Sequence, residues 1–217
     1  MTNRSDKNKS IKVIIFLILS LFSTTAFASK ITIAIQPFNK FSSVDQKYYI
    51  NEVKKIYGDI NVYFLPITRL PERAYYKPRN RYRAEKLIDH LESTRDKKYL
   101  KVVGLTVRDI STTKDEYYDW GIFGLGTISG PCCVVSTFRL KRNTKNNRTK
   151  FLDRVVKVIN HELGHTFGLY HCPNKGCNME DAGGTIKTVD YTDGQFCSDC
   201  RRKWLNVQKL LKGTSNN

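Results

Sequence analysis

The 217-residue sequence predicts an α/β (α+β) fold: a mixed, mostly parallel twisted sheet with helices, followed by an irregular C-terminal subdomain. Three observations carry that prediction. β-branched apolar runs alternate with stretches of helical periodicity, the order that lays helices over a parallel sheet. Two of the later runs are joined only by Ser129-Gly130-Pro131, too short for a crossover, so one pairing is antiparallel. Beyond Gly168 the periodicity gives way to a stretch rich in glycine and cysteine.

Each element follows in chain order. "KITIAIQPF" (residues 30–38) is the first strand. Ser43 opens a helix in which Gln46 completes a capping box, and the helix runs to Tyr57 and stops at Gly58. "INVYFLPI" (residues 60–67) is the second strand, and "RYRAEKLIDHLEST" (residues 81–94) is helical with Leu87, Ile88 and Leu91 on one face. "YLKVVGLTV" (residues 99–107), "DWGIFGLGTI" (residues 119–128) and "CCVVSTFRL" (residues 132–140) are further strands. A long helix covers residues 150–167, and a short one covers residues 202–211.

The N-terminus carries Arg4, Lys7, Lys9 and Lys12, then the apolar run "VIIFLILSLF" (residues 13–22), then Ala26-Phe27-Ala28. A basic region, a short apolar core and a small-x-small site read as a secretory signal peptide over residues 1–28. The run is too short to span a bilayer. The expectation is an exported protein, periplasmic or secreted, with no transmembrane segment in the mature chain. Residues 29–217 then form a single domain with an upper part (29–168) and a lower part (169–217).

Lysine and arginine number 37 against 20 acids, a formal net charge of +17. Such a charge gives weak affinity for anionic surfaces. "RLKRNTKNNRTK" (residues 139–150) is the densest basic run, and "RAYYKPRNRYR" (residues 73–83) interleaves aromatics with arginine as a single-strand nucleic-acid surface does. No nucleic-acid-binding motif accompanies either, so no specific nucleic-acid partner is predicted.

The chemistry concentrates in "VINHELGHTFGLYHC" (residues 158–172). His161 and His165 are four apart, so on a helix both imidazoles share one face and reach one cation. Glu162 lies beside them without ligating. Gly168 supplies the positive φ that ends the helix and lets the chain bring His171 back. This is H-E-x-x-H-x-x-G-x-x-H, three neutral ligands with a fourth position open for water. Glu162 would serve as general base for hydrolysis of a peptide or protein substrate. His90, the fourth histidine, reads as a surface helix residue.

Cys172 and Cys177 are followed by Cys197 and Cys200, two short-spaced pairs. A closed four-thiolate zinc site needs that spacing. Two disulfides in an oxidising compartment would pin the same segment, so both alternatives stand. Cys132 and Cys133 are neighbours on a strand, point to opposite faces and read as small core residues.

"HELGHTFGLYHC" (residues 161–172), then Cys177-Asn178-Met179, then "CSDC" (residues 197–200) resembles the archaemetzincins, a branch of the metzincin zinc peptidases. The resemblance implies a metzincin-like fold with an active-site helix and a zinc-pinned lower part. It implies two zinc ions: a catalytic one on His161, His165 and His171, with Glu162 as base, and a structural one on Cys172, Cys177, Cys197 and Cys200. Met179 would be the Met-turn residue beneath the imidazoles. The strand over residues 120–128 would be the edge above the cleft. Asp181 stands where some metzincins carry a catalytic tyrosine, so no such helper is expected. The competing expectation is a catalytically inert, zinc-stabilised binding protein with a basic surface; the intact Glu162 argues against it.

Overall fold

The computed structural model describes residues 31–213; the signal segment expected at residues 1–28 lies outside them. In chain order the first elements are β1 (Ile31–Pro37), α1 (Ser43–Tyr57), β2 (Ile60–Phe64), β3 (Tyr75–Tyr76), β4 (Arg81–Arg83), α2 (Ala84–Thr94) and β5 (Lys101–Thr106). They are followed by β6 (Ile110–Lys114), β7 (Tyr117–Ile122), β8 (Gly124–Gly126), β9 (Cys132–Ser136), α3 (Arg148–Thr166), α4 (Ile186–Tyr191) and α5 (Ser198–Gly213).

The main sheet has the order β2-β1-β5-β9-β8. Its first four strands are parallel, and β8 runs antiparallel to β9 through the short turn at Gly130. Alternation along each strand feeds two cores. Ile31, Ile33, Ile35, Val103, Leu105, Cys133 and Val135 face α1, α3 and α5, while Ala34, Val102, Cys132 and Val134 face α2. Cys132 and Cys133 thus point to opposite faces, each wholly buried and free. Apolar side chains buried this completely contribute about 1.5–3 kcal/mol each.

Several boundaries differ from expectation, each for a physical reason. Ser42, not Ser43, caps α1, accepting from the Asp45 amide at 3.1 Å, and Gln46 reaches back to the Phe41 carbonyl instead. Residues 81–83 are strand rather than helix, because the Arg81 guanidinium is buried between Asp109 and Asp119 and that of Arg83 lies against Glu85 and Tyr118. A second sheet, β3-β4-β6-β7, was not expected; its β6–β7 hairpin is too polar to read as a strand pair. The stretch over residues 120–128 is therefore not one strand. It breaks at Phe123, with Trp120 to Ile122 in the second sheet and only Gly124–Gly126 on the edge of the main one. The strand expected over residues 132–140 ends at Ser136, where a short helical turn begins soon after.

Part of each basic stretch is paired with acids of the fold. Arg79 and Arg81 pair with Asp119, Arg139 with Asp109, Arg148 with Asp45 and Lys150 with Asp190. His90 is half-buried, its ring 6.4 Å from that of Phe38. No described helix is long and apolar enough to cross a membrane.

Candidate active site

The longest helix, α3, carries the site. Asn147 caps its start, accepting from the Lys150 amide at 2.8 Å. Its buried face reads Leu152, Val155, Val156, Ile159 and Leu163. At its end Gly168 takes φ +84°, and the Gly168 and Leu169 amides bond back to the His165 and Gly164 carbonyls. The chain turns there as the sequence predicted and returns His171 to the histidine pair. Ring centroids of the three imidazoles lie 4.6, 4.9 and 5.3 Å apart.

Hydrogen bonds decide what this cluster can hold. His161 Nδ1 faces the Asn178 carbonyl and His165 Nδ1 the Leu169 carbonyl, each at 2.7 Å. A carbonyl only accepts, so both Nδ1 atoms carry protons. Both Nε2 atoms of the neutral rings are then lone pairs, yet they meet at 3.0 Å. Burial, with the neighbouring imidazole adding to it, pushes His161 down to about 3, and burial also lowers His165, so protonation does not resolve the clash near neutral pH. A cation between the lone pairs does. Tetrahedral zinc with bonds of about 2.0–2.1 Å spaces its nitrogens by about 3.3 Å. The three histidine ligand atoms all lie within 4.8 Å of one another. The donor set fits zinc.

Glu162 is buried beside the rings, and burial raises its carboxyl to about 8, opposed by the backbone amide of Gly126. The approach of β8 to α3 creates that burial. A Cβ on Gly124 would stand 2.7 Å from Glu162 Oε1, and one on Gly126 only 2.5 Å from the Glu162 carbonyl. Met179 is fully buried against Gly164, which lies between the two helical histidines, and its sulfur stands 2.5 Å from where a Gly164 Cβ would be. Asp181 binds the Gly183 amide at 2.8 Å and faces His171 Nδ1 at 3.7 Å.

The four cysteines gather behind His171, their sulfurs within 4.8 Å of one another and all free. Cys172 and Cys197 sulfurs are 3.7 Å apart. A zinc tetrahedron with Zn–S of about 2.3 Å has an edge of about 3.8 Å. Cys177 accepts from the Met179 and Cys197 amides at 3.5 and 3.4 Å. Burial works against the Cys197 thiolate, but the Cys200 amide, Asn174 and the neighbouring thiols outweigh it and bring Cys197 to about 6. These donors suit thiolates gathered on a metal.

A cleft of about 510 Å³ runs past the histidines. β8, Trp120, Asp181, Gly183 and Gly184 are among the residues that line it. Trp120 reaches to within 3.7 Å of where a Gly184 Cβ would be. Two lining features escaped the sequence reading. The glycines of β8 gave no signal, since their contact is with a residue far along the chain. Lys157 did give one, because it lies one turn before His161 on the same face of the helix.

Three convergent imidazoles and a buried carboxylate under an open sheet edge define a class, the zinc-dependent metallopeptidases. The model for peptidase family M54 matches residues 40–206, and the chain belongs to that family. An archaemetzincin of Halobacterium salinarum is 37% identical over 139 residues, spanning 61% of this chain and 76% of the relative. One from Saccharolobus islandicus is 30% identical over 186 residues, 84% of this chain and 97% of the relative. The crystal structure of archaemetzincin from Methanopyrus kandleri superposes with a TM-score of 0.73 at 30% identity, covering 87% of this chain and 99% of that one. That of Archaeoglobus fulgidus, complexed with malonate, gives 0.66 at 27% identity, covering 79% and 99%. The chain is a hydrolase of peptide bonds, and the inert binding-protein alternative is left without support.

Proposed function

We propose that His161, His165 and His171 hold the catalytic zinc and that Glu162 is the general base of this peptidase. The observation that carries the reading is the meeting of two Nε2 lone pairs at 3.0 Å, each forced by a carbonyl on Nδ1, beside a buried carboxylate. When bound, zinc supplies a Lewis acid that polarises the scissile carbonyl and brings a water towards a pKa of about 7. The residues do the rest. The Asn178 and Leu169 carbonyls hold the two helical imidazoles in the ligating tautomer. The Glu162 carboxylate accepts a proton from the attacking water and returns it to the leaving amine. β8, bonded to β9 on one side only, offers its free edge to an extended peptide. Met179 gives the imidazoles an apolar floor.

The cysteine cluster supports a second, structural zinc on Cys172, Cys177, Cys197 and Cys200. The basic and apolar N-terminus with its Ala26-Phe27-Ala28 site supports export, and the charge of +17 supports weak attraction to anionic surfaces.

Glu162→Gln tests the central assignment. Cleavage of a diverse peptide library should fall by about 10²–10⁴-fold with zinc content unchanged. Undiminished turnover would remove Glu162 from the role.

A further inference from the structure

Lys157 stands on the cleft wall, half-buried, one helical turn before His161. Its stem lies along Gly194, where an added Cβ would sit 3.4 Å from its Cγ. Its ammonium donates to the Thr192 carbonyl at 2.5 Å and the Val189 carbonyl at 3.3 Å. An ammonium has three protons, so one is left over.

No carboxylate takes it. Among the described residues none lies within 4.0 Å of Lys157 Nζ, and the nearby ones are already engaged. Asp190 is bound by Arg154 and Lys150, Asp153 accepts from the Tyr48 hydroxyl, and Asp193 accepts from the Gln195 amide. Of the other acids that line the cleft, Glu180 is held by Lys175 and the Gly176 amide, and Asp181 by the Gly183 amide. Burial lowers the Lys157 pKa and outweighs the opposing charges of Asp153, Asp190 and Asp193, so its charge is held at a cost that a closer counter-charge would relieve. Closing the end of α4 accounts for two of its hydrogen bonds. It does not account for an unpaired cation on the wall of the cleft.

We propose that Lys157 receives a substrate carboxylate and makes the enzyme selective for peptides that present one at a single fixed position from the scissile bond. The carboxylate is either an internal Asp or Glu side chain or the free C-terminus. The proposal rests on the peptidase reading. It agrees with the basic balance of the whole chain, which draws acidic peptides to the protein.

The zinc-loaded protein is tested on matched peptides carrying Glu or Gln at each position around the cleaved bond, with free or amidated C-termini. At one position kcat/KM should be about tenfold to a hundredfold higher for the carboxylate. A Glu-over-Gln advantage identifies a side chain, and a loss on amidation identifies the C-terminus. Lys157→Met should abolish the discrimination while neutral peptides are still cut, and Lys157→Arg should keep most of it. Equal rates for every matched pair in the parent overturn the proposal without any variant. So does a preference that survives Lys157→Met, or one that is lost instead on Lys114→Met, Lys114 being the other lysine that lines the cleft. A folded, zinc-loaded parent that cuts no peptide at all overturns the peptidase reading first and this inference with it.

Discussion

At the scale of single residues the site is set by what is missing from Gly124. A Cβ there would lie 2.6 Å from Cγ and 2.7 Å from Oε1 of Glu162, closer than real side-chain contacts come. Gly124→Ala must therefore move either β8 or the carboxylate. The expected outcome is a fall in kcat of about tenfold to a hundredfold, because a displacement near 1 Å is enough to spoil proton transfer. Zinc content should hold, since no ligand is touched, and steady-state kinetics beside metal analysis read both. The histidines and Glu162 could be picked out of the sequence because their spacing is local to one helix and one turn. Gly124 could not, because its meaning is a contact with a residue on another element.

Between elements, the same distinction separates what the sequence disclosed from what it hid. The parallel strands and α3 were legible because apolar runs and 3.6-residue periodicity are properties of the segment itself. α4 is only six residues long, and Arg81–Arg83 continues the polar-apolar pattern of the helix after it. Both are fixed by long-range ion pairs that no local pattern reveals. Arg154, almost wholly buried on α3, clamps Asp190 of α4 at 2.6 and 2.8 Å, and Lys150 adds a third contact at 3.0 Å. The Arg154 guanidinium, then burial against it, then Lys150 set the balance that holds the Asp190 carboxyl at about 2, below its ordinary 3.8. A folded-state pKa below the unfolded one stabilises at all pH above the ordinary value and is lost as pH falls through about 2. Asp190→Asn should cost about 2 kcal/mol at pH 7, less than a fully buried pair because Asp190 is partly exposed. Urea unfolding should show a parent–variant gap that is flat down to about pH 4 and closes towards pH 2. A gap that persists at pH 2 would assign the effect to packing rather than charge.

For the whole molecule the question is what holds the lower part against the upper. One attachment is apolar: Trp204 of α5 is buried against Tyr57 and Phe167, with ring centroids at 5.0 and 4.7 Å, and its indole donates to the Tyr57 carbonyl. A second restraint acts within the lower part itself: the cysteine cluster, which joins the turn after His171 to the start of α5. Between them the chain has little regular structure beyond α4, so it buries few groups of its own per residue ordered. Backbone ordering costs about 1–2 kcal/mol per residue, and a structural zinc on the four cysteines would offset it on the scale of about 10 kcal/mol. Because Cys172 adjoins His171, loosening the cluster would also loosen the third of the proposed zinc ligands. On the proposed two-zinc reading, Cys177→Ser with Cys200→Ser should lower bound zinc from two ions per chain to one or fewer. It should also lower the melting temperature by about 10 °C or more and weaken zinc retention at the histidines. A strong chelator should reproduce the melting shift in the parent, while a reductant alone should leave it unchanged. If the cluster instead forms two disulfides, the responses exchange. The reductant lowers the melting temperature, and the chelator removes a single ion with little loss of stability. Metal counting and two melting curves on one preparation separate the two outcomes.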